Sequence, residues 1–369
     1  MSSSAPPAGR PVFTGLGVLS AFGTGPAPLA AATAAGSTAG FTEVTRFDVT
    51  RRGTRRAALL ADPPPLAAAV LGAVADACEQ SELPGGAPLL LALHSDLRTR
   101  AVAAEVAQGA AALGLAGVGR VYTGACVAAA TAVADAAALV GSGRHPRVVV
   151  AAGHLVEPGV FAAFDAGRAL ARDGQLRPFS SGRSGTLLGD AAVAVVVEAA
   201  DAAAARGARP LARLAGWGRS GDAHHVCRPR PDGAGVARAV RSALARAGAA
   251  PAEVDYVNAN GTGSPMSDLA EARALREVFG DALDGLPVSS SKSVHGHALE
   301  ASALLELAVT IGALDSGRLP VNAGWLGPDP EVGLNLVLAD HRPDGRPRCA
   351  LSLNSAFGGA NTALLVAAA

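Results

Sequence analysis

The chain has 369 residues, half of them apolar, with 31 basic and 31 acidic residues and a formal net charge of zero. That suits a compact protein of one large or two modest domains and excludes a disordered or collagen-like chain. Zero net charge gives no electrostatic reason to expect a nucleic acid or an anionic membrane as partner, and 4% aromatic content argues against base-stacking platforms.

In chain order, Val12 to Leu19 reads as a strand, Leu66 to Cys78 as a helix, Pro88 to Leu93 as a strand and Val127 to Val140 as a helix. Arg147 to Ala152 and Ala191 to Glu198 are further apolar strands. The second half predicts a strand near Leu211 to Trp217, a helix over Gly233 to Ala247, a strand at Val254 to Asn258 and a helix over Asp268 to Phe279. A short strand at Pro287 to Ser290, a helix from Ala298 to Leu314, and strands at Leu334 to Leu338 and Cys349 to Asn354 close the chain. Such an order implies sheets covered by helices. The halves, 1–200 and 201–369, meet near Asp201 to Pro210, and no residue-level repeat between them is visible.

Met1 to Gly9 has no basic region leading into an apolar core, so no secretory leader is expected; the widely spaced Cys78, Cys126, Cys227 and Cys349 suit a reduced cytoplasmic protein. Apolar runs such as Ala191 to Ala205 are cut by Glu198 and Asp201, so no membrane association is expected. Among the 31 basic residues the one lysine is Lys292; a lone ammonium in an arginine-rich chain marks either a position where the planar guanidinium does not serve, or chance survival on a loop.

Chemistry concentrates in four places. Cys126 ends Tyr122-Thr-Gly-Ala-Cys126 and opens an Ala-rich helix, where the dipole and free N–H groups favour a thiolate, although a single Cys is more often a small buried hydrophobe. Asn258-Ala-Asn-Gly-Thr-Gly-Ser-Pro265 leads into Asp268 and Glu271, which read as capping and structural carboxylates rather than a catalytic pair. Ser291-Lys-Ser-Val-His-Gly-His297 puts an imidazole before a helix, a position that lowers its pKa. Asn354-Ser-Ala-Phe-Gly-Gly-Ala-Asn361 is a glycine turn whose Phe357 N–H suits an oxyanion. His224, His225, Cys227, His295 and His297 fit no standard zinc spacing, and no dinucleotide or phosphate loop is present, so neither metal nor cofactor is expected.

These ordered motifs resemble the β-ketoacyl-acyl-carrier-protein synthases of the thiolase superfamily, of the bacterial fatty-acid and type II polyketide kind. The likeness also takes in Thr14-Gly-Leu-Gly17, Arg168-Ala-Leu170, Arg177-Pro-Phe179, Leu188-Gly-Asp190, Ser220-Gly-Asp-Ala-His224 and Asp232-Gly-Ala-Gly235, and so runs through most of the chain. The resemblance implies a thiolase-like α/β fold of five layers, α-β-α-β-α, in two similar halves. It makes Cys126 the acyl-carrying nucleophile, His297 the second catalytic His, and Lys292 with the helix residue Glu306 the groups that order it. Oxyanion donation falls to the N–H groups of Cys126 and Phe357, and Phe357, Ser355 and Phe164 are expected at the gate and substrate pocket. The implied partners are acyl carrier protein with its acyl thioesters, and either a second copy or a ketosynthase paralogue.

Departures bear on the reaction. Where elongating relatives have His-Gly-Thr-Gly, this chain has Asn260-Gly-Thr-Gly; Asn donates a hydrogen bond but exchanges no proton near neutral pH. Ser355 replaces an aromatic beside the gating Phe357, Val127 replaces a small hydroxyl residue, and the stretch from Leu93 to Cys126 is short. The leading expectation is acylation of Cys126 followed by condensation with a malonyl-type extender. A non-elongating acyltransferase or cyclising ketosynthase, and a non-catalytic chain-length-factor-like subunit, are the alternatives; retention of Cys126, Lys292 and His297 together favours an enzyme.

Overall fold

The structure is a computed structural model describing residues 9–339, 343 and 345–369. The leader reading of the N-terminus concerns residues 1–8, outside that range. The first half supplies β1 (Pro11–Ser20), α1 (Leu66–Gln80), β2 (Leu89–Ala92), α2 (Thr99–Ala112), β3 (Val118–Tyr122), α3 (Ala128–Gly141), β4 (Arg147–His154) and β5 (Ala191–Ala199). The second half repeats the series as β6 (Ala212–Gly221), α4 (Ala234–Ala247), β7 (Tyr256–Asn258), α5 (Pro265–Phe279), β8 (Val288–Ser289), α6 (Ser302–Ser316), β9 (Cys349–Ser355) and β10 (Ala360–Ala368).

The strand order is β3-β2-β4-β5-β1 in the first half and, mirrored, β6-β10-β9-β7-β8 in the second. Each half pairs its three βα-linked strands in parallel and its other two antiparallel. A short antiparallel contact, Val12 with Arg213 and Phe13 with Ala212, stitches β1 to β6. The duplication shows in one residue pattern. A Cβ on Gly15 or Gly17 would meet the α1 carbonyls of Ala77 and Ala73 at 2.0 and 1.9 Å, and one on Gly216 or Gly218 would meet those of Ala243 and Ala239 on α4 at 2.1 and 1.8 Å. Each half thus begins with a strand whose Gly-x-Gly lets a helix lie directly on its backbone.

Helices α3 and α6 touch strands of both halves and form the middle layer, while α1, α2, α4 and α5 cover the outer faces. A helix buried on every side needs apolar residues all round, and α6 buries Leu304, Leu305, Leu307, Ala308, Val309 and Ile311. On α3 the buried positions are almost all alanine, which lets two sheets close on one helix without aromatic filling. Strand β5, covered on both faces, is buried along its whole length and reads as an apolar run from Ala191 to Val197, closed by Glu198, which is buried but paired with Arg147 and Arg206.

Helix α2 and strands β3 and β10 add to the sequence reading, and three of the expected elements differ. Helix α5 begins at Pro265, before the expected Asp268, because proline is tolerated in a first helical turn. The helix expected from Ala298 splits into a 3-10 turn, Leu299–Ala301, and α6. Leu334 to Leu338 forms no strand; Leu336 makes a single bridge to Val288. Among the described residues no helix is long and apolar enough to cross a membrane.

Candidate active site

Parallel strands β7 and β8, with β9 beside β7, release their loops at one edge, as open α/β sheets do where ligands bind. This gathers Asn260, the Lys292–His297 segment and the Ser355–Phe357 turn. The opposite half delivers Cys126 from a 3-10 turn, Ala125–Val127, between β3 and α3. Ala125 holds a left-handed φ of 51°, uncommon for a residue with a Cβ. Beyond that reversal the buried Cys126 Sγ lies 3.1 Å from His297 Nε2.

The thiol departs from expectation. Burial, reinforced by the charge of Glu300, pushes Cys126 up to about 12, against the opposing pull of Lys292 and its own N–H. The helix-start position does not win, and the resting sulfur is a thiol. His297 is held well below its usual range, first by burial and then by the Lys292 ammonium; it stands two residues before the 3-10 turn and five before α6. Its Nδ1 lies 2.8 Å from Ser302 Oγ. The ring is therefore a neutral imidazole between a thiol and a hydroxyl.

Lys292 does not reach His297 by a hydrogen bond. Its Nζ pairs with Glu306 Oε1 at 2.6 Å and donates to Asn260 Oδ1 at 3.2 Å, with both charged side chains fully buried. Asn354 Nδ2 donates to the other Glu306 oxygen at 2.6 Å. Because an ammonium is a donor only, it fixes which end of the Asn260 amide is oxygen and leaves the NH2 group as the end free to donate. The lone lysine is tied to Asn260 by a hydrogen bond and reaches His297 only through its charge.

Asp268 and Glu271 hold the loop from below. Glu271 accepts the Asn260 and Gly261 N–H groups at 2.7 and 2.8 Å, and Asp268 accepts those of Phe179 and Gly263 at 2.8 and 3.1 Å. Burial pushes both carboxyls up to about 7. Glu271→Gln replaces one acceptor oxygen with a donor facing a buried N–H. A loss of about 1–3 kcal/mol in chemical denaturation is the expected result, with the fold retained.

Cys126, Asn260, His297, Ser355, Phe357 and Phe164 line one cleft of about 630 Å³. Phe357 is half-exposed and packs on Phe164 with ring centroids 5.7 Å apart. Ser355 Oγ donates to Asn361 Oδ1 at 2.7 Å, so its hydroxyl closes the turn. The exposed Arg168 and Arg228 add positive charge to the cleft wall, where Arg230 is paired with Asp232. Sequence reading passed over Ser302 and Asn354 as partners of His297 and Glu306; Ser302 stands five residues past His297, a spacing that gives no signal without the 3-10 turn between them. It also passed over His94, His154 and Glu300. Among the described residues no group of three or more His, Cys, Asp or Glu side chains is arranged to hold a metal ion.

The family model described as the N-terminal domain of β-ketoacyl synthase matches residues 92–203, and that of the C-terminal domain matches 211–325. Nodulation protein E of Rhizobium meliloti is 39% identical over 264 residues, which is 71% of this chain and 64% of that protein. The 3-oxoacyl-[acyl-carrier-protein] synthase 2 of Staphylococcus aureus is 37% identical over 208 residues, 55% of this chain and 51% of that one. The chain thus spans between half and two thirds of the length of these relatives. The structure of the ishigamide ketosynthase/chain length factor superposes with a TM-score of 0.89 at 27% identity, covering 98% of this chain and 99% of that one. A β-ketoacyl synthase from Burkholderia phymatum STM815 gives 0.86 at 23% identity, over 98% and 99% of the two chains, a likeness of fold. Cys126 lies in one matched half, and Asn260, Lys292 and His297 lie in the other; the chain belongs to the β-ketoacyl synthase family.

Proposed function

We propose that the protein processes acyl thioesters through Cys126 and condenses the acyl group with a malonyl-type thioester. The observation that carries this reading is the buried Cys126–His297 contact of 3.1 Å at the wall of a cleft of about 630 Å³. In the first step Sγ attacks the thioester carbonyl carbon, the bond to the carrier sulfur breaks, and the cysteine proton ends on that leaving sulfur. The N–H groups of Cys126 and Phe357 are assigned to the oxyanion. In the second step a malonyl thioester loses carbon dioxide, and its enolate oxygen accepts hydrogen bonds from His297 Nε2–H and the Asn260 amide. The enolate carbon attacks the acyl carbonyl, and the released sulfur takes up one proton. Ser302 supports the required tautomer by donating to His297 Nδ1.

The acyl donor in this reading is an acyl carrier protein, whose acidic surface the exposed arginines of the cleft suit. The unpaired side of edge strand β3, beside the nucleophile turn, would seat a second copy or a ketosynthase paralogue. A type II polyketide ketosynthase solved in complex with its acyl-carrier protein shares the fold, with a TM-score of 0.88 at 21% identity.

Asn260 favours a second reading, an acyltransferase that elongates slowly. Losing an oxyanion donor outright costs about 2.7–4 kcal/mol in barrier, and Asn260 keeps a donor, so the electrostatics do not abolish decarboxylation. What is lost is a titratable group beside the leaving carboxylate. Acylation is expected to proceed while carbon dioxide release from malonyl-carrier protein is slow, and Asn260→His to raise that release selectively. Fast release by the wild type, unchanged or reduced in Asn260→His, contradicts this second reading and leaves ordinary elongation.

A further inference from the structure

A second group of polar side chains lies behind the nucleophile, outside the cleft. The two halves build matching reversals: Glu300 follows Leu299 at φ 44° just as Cys126 follows Ala125 at φ 51°, and the two turns pack against each other. Glu300 is buried, and its Oε1 lies 2.9 Å from Nδ1 of the partly exposed His94 at the end of β2. Its Oε2, and Nε2 of the buried His154 at the end of β4, have no hydrogen-bond partner among the described residues. Two orphaned buried polar atoms are unusual in a packed protein and are found where function keeps them. Nothing in the acyl chemistry derived above uses either residue.

We infer that Glu300 is a positioning residue for Cys126: its buried carboxylate sets how readily the sulfur gives up its proton, and His94, reaching toward solvent, switches that carboxylate on and off. A protonated His94 neutralises Glu300 as an ion pair; once His94 loses its proton the carboxylate stands bare in the turn packed on that of Cys126 and opposes a second negative charge there. The other groups around the pair are Asp96 and Arg98 after β2, His154 at the end of β4 and Glu157 after it, Asp190 before β5, and Lys292 and Glu306, whose charges also act on Cys126. Arg98 is engaged by Asp96 and Glu157, so it does not take over from His94. The hydrogen bond to Glu300 raises His94 above its ordinary value, and the Glu300 charge is the largest influence on Cys126 after burial.

The inference rests on Cys126 as the reacting thiol, but its test needs no acyl transfer. Iodoacetamide alkylation of Cys126 is followed by peptide mass spectrometry between about pH 6 and pH 9 on the full chain, with wild type, Glu300→Gln and His94→Gln. Glu300→Gln keeps an acceptor for His94 and is expected to speed alkylation by about tenfold near pH 9, where neutral His94 leaves the wild-type carboxylate bare, and by much less near pH 6–7, where His94 neutralises it. His94→Gln leaves the carboxylate bare at every pH, so alkylation is expected to slow several-fold near pH 6–7 and to meet the wild-type rate near pH 9, where His94 is neutral in both. Opposite shifts separate an electrostatic role from a structural one, which moves both variants the same way. Should Glu300→Gln not fold, the surface variant His94→Gln decides alone. Shifts of the same sign, or a His94→Gln profile that overlays the wild type, overturn the inference. A failure of acylation with an intact opposite-shift pattern counts against the proposed reaction and not against this pairing.

Discussion

Lys292→Met is expected to destabilise the protein by about 3–5 kcal/mol, the cost of leaving a buried charge without its partner. Lys292 and Glu306 are both fully buried and 2.6 Å apart, and Asn354 holds the second carboxylate oxygen. Removing the ammonium strands Glu306 in the middle layer. It also frees the Asn260 amide, which then has no donor to fix its oxygen end. Lys292→Arg retains the charge but brings a planar fork into a space packed for a linear side chain, and overpacking there is expected to cost about 1–3 kcal/mol. Lys292→Met combined with Glu306→Leu removes both charges, and its unfolding midpoint is expected to return most of the way to wild type, while malonyl decarboxylation does not recover because Asn260 stays unclamped. Urea denaturation of the three variants checks this; a single variant as stable as wild type would show that the pair contributes nothing and that the lone lysine is incidental.

What the sequence conveyed depended on how strongly each element is patterned. Strand β5 and helix α3 read clearly because their burial leaves seven consecutive apolar residues, Ala191 to Val197, and an Ala-rich stretch. Strand β3, Val118-Gly-Arg-Val-Tyr122, mixes exposed and buried positions at a sheet edge and carries no alternation to read. Strand β10 looks like a tail of small residues until β6 and β9 flank it. The duplication was present as Gly15-x-Gly17 and Gly216-x-Gly218, yet two glycines per half mean little before a helix is seen lying on them. In the site, residue types at Cys126, Asn260, Lys292 and His297 were legible from local motifs. Their partners were not: Lys292 meets Asn260 and Ser302 meets His297 only once the second half has folded, and the Glu300 turn meets the Cys126 turn only where the two halves pack. Electrostatics went furthest astray: a helix start suggested a thiolate, and burial reverses it.

The reversal has a consequence for the reaction. A thiol held up to about 12 is a weak nucleophile in the resting protein, so attack must be coupled to transfer of its proton to the departing carrier sulfur, with His297 Nε2–H, 3.1 Å from Sγ, placed to donate to the sulfur as negative charge develops on it. Acylation is therefore expected to require His297 as well as Cys126, and to slow with loss of either. The direct measurement is intact mass after incubation with an acyl-carrier protein or an acyl N-acetylcysteamine thioester. The account predicts one acyl adduct on the wild type, mapped to the peptide containing Cys126, and none on Cys126→Ser. An unmodified wild type, or an equal adduct on Cys126→Ser, would contradict the assignment of the nucleophile and with it the enzymatic reading of this fold.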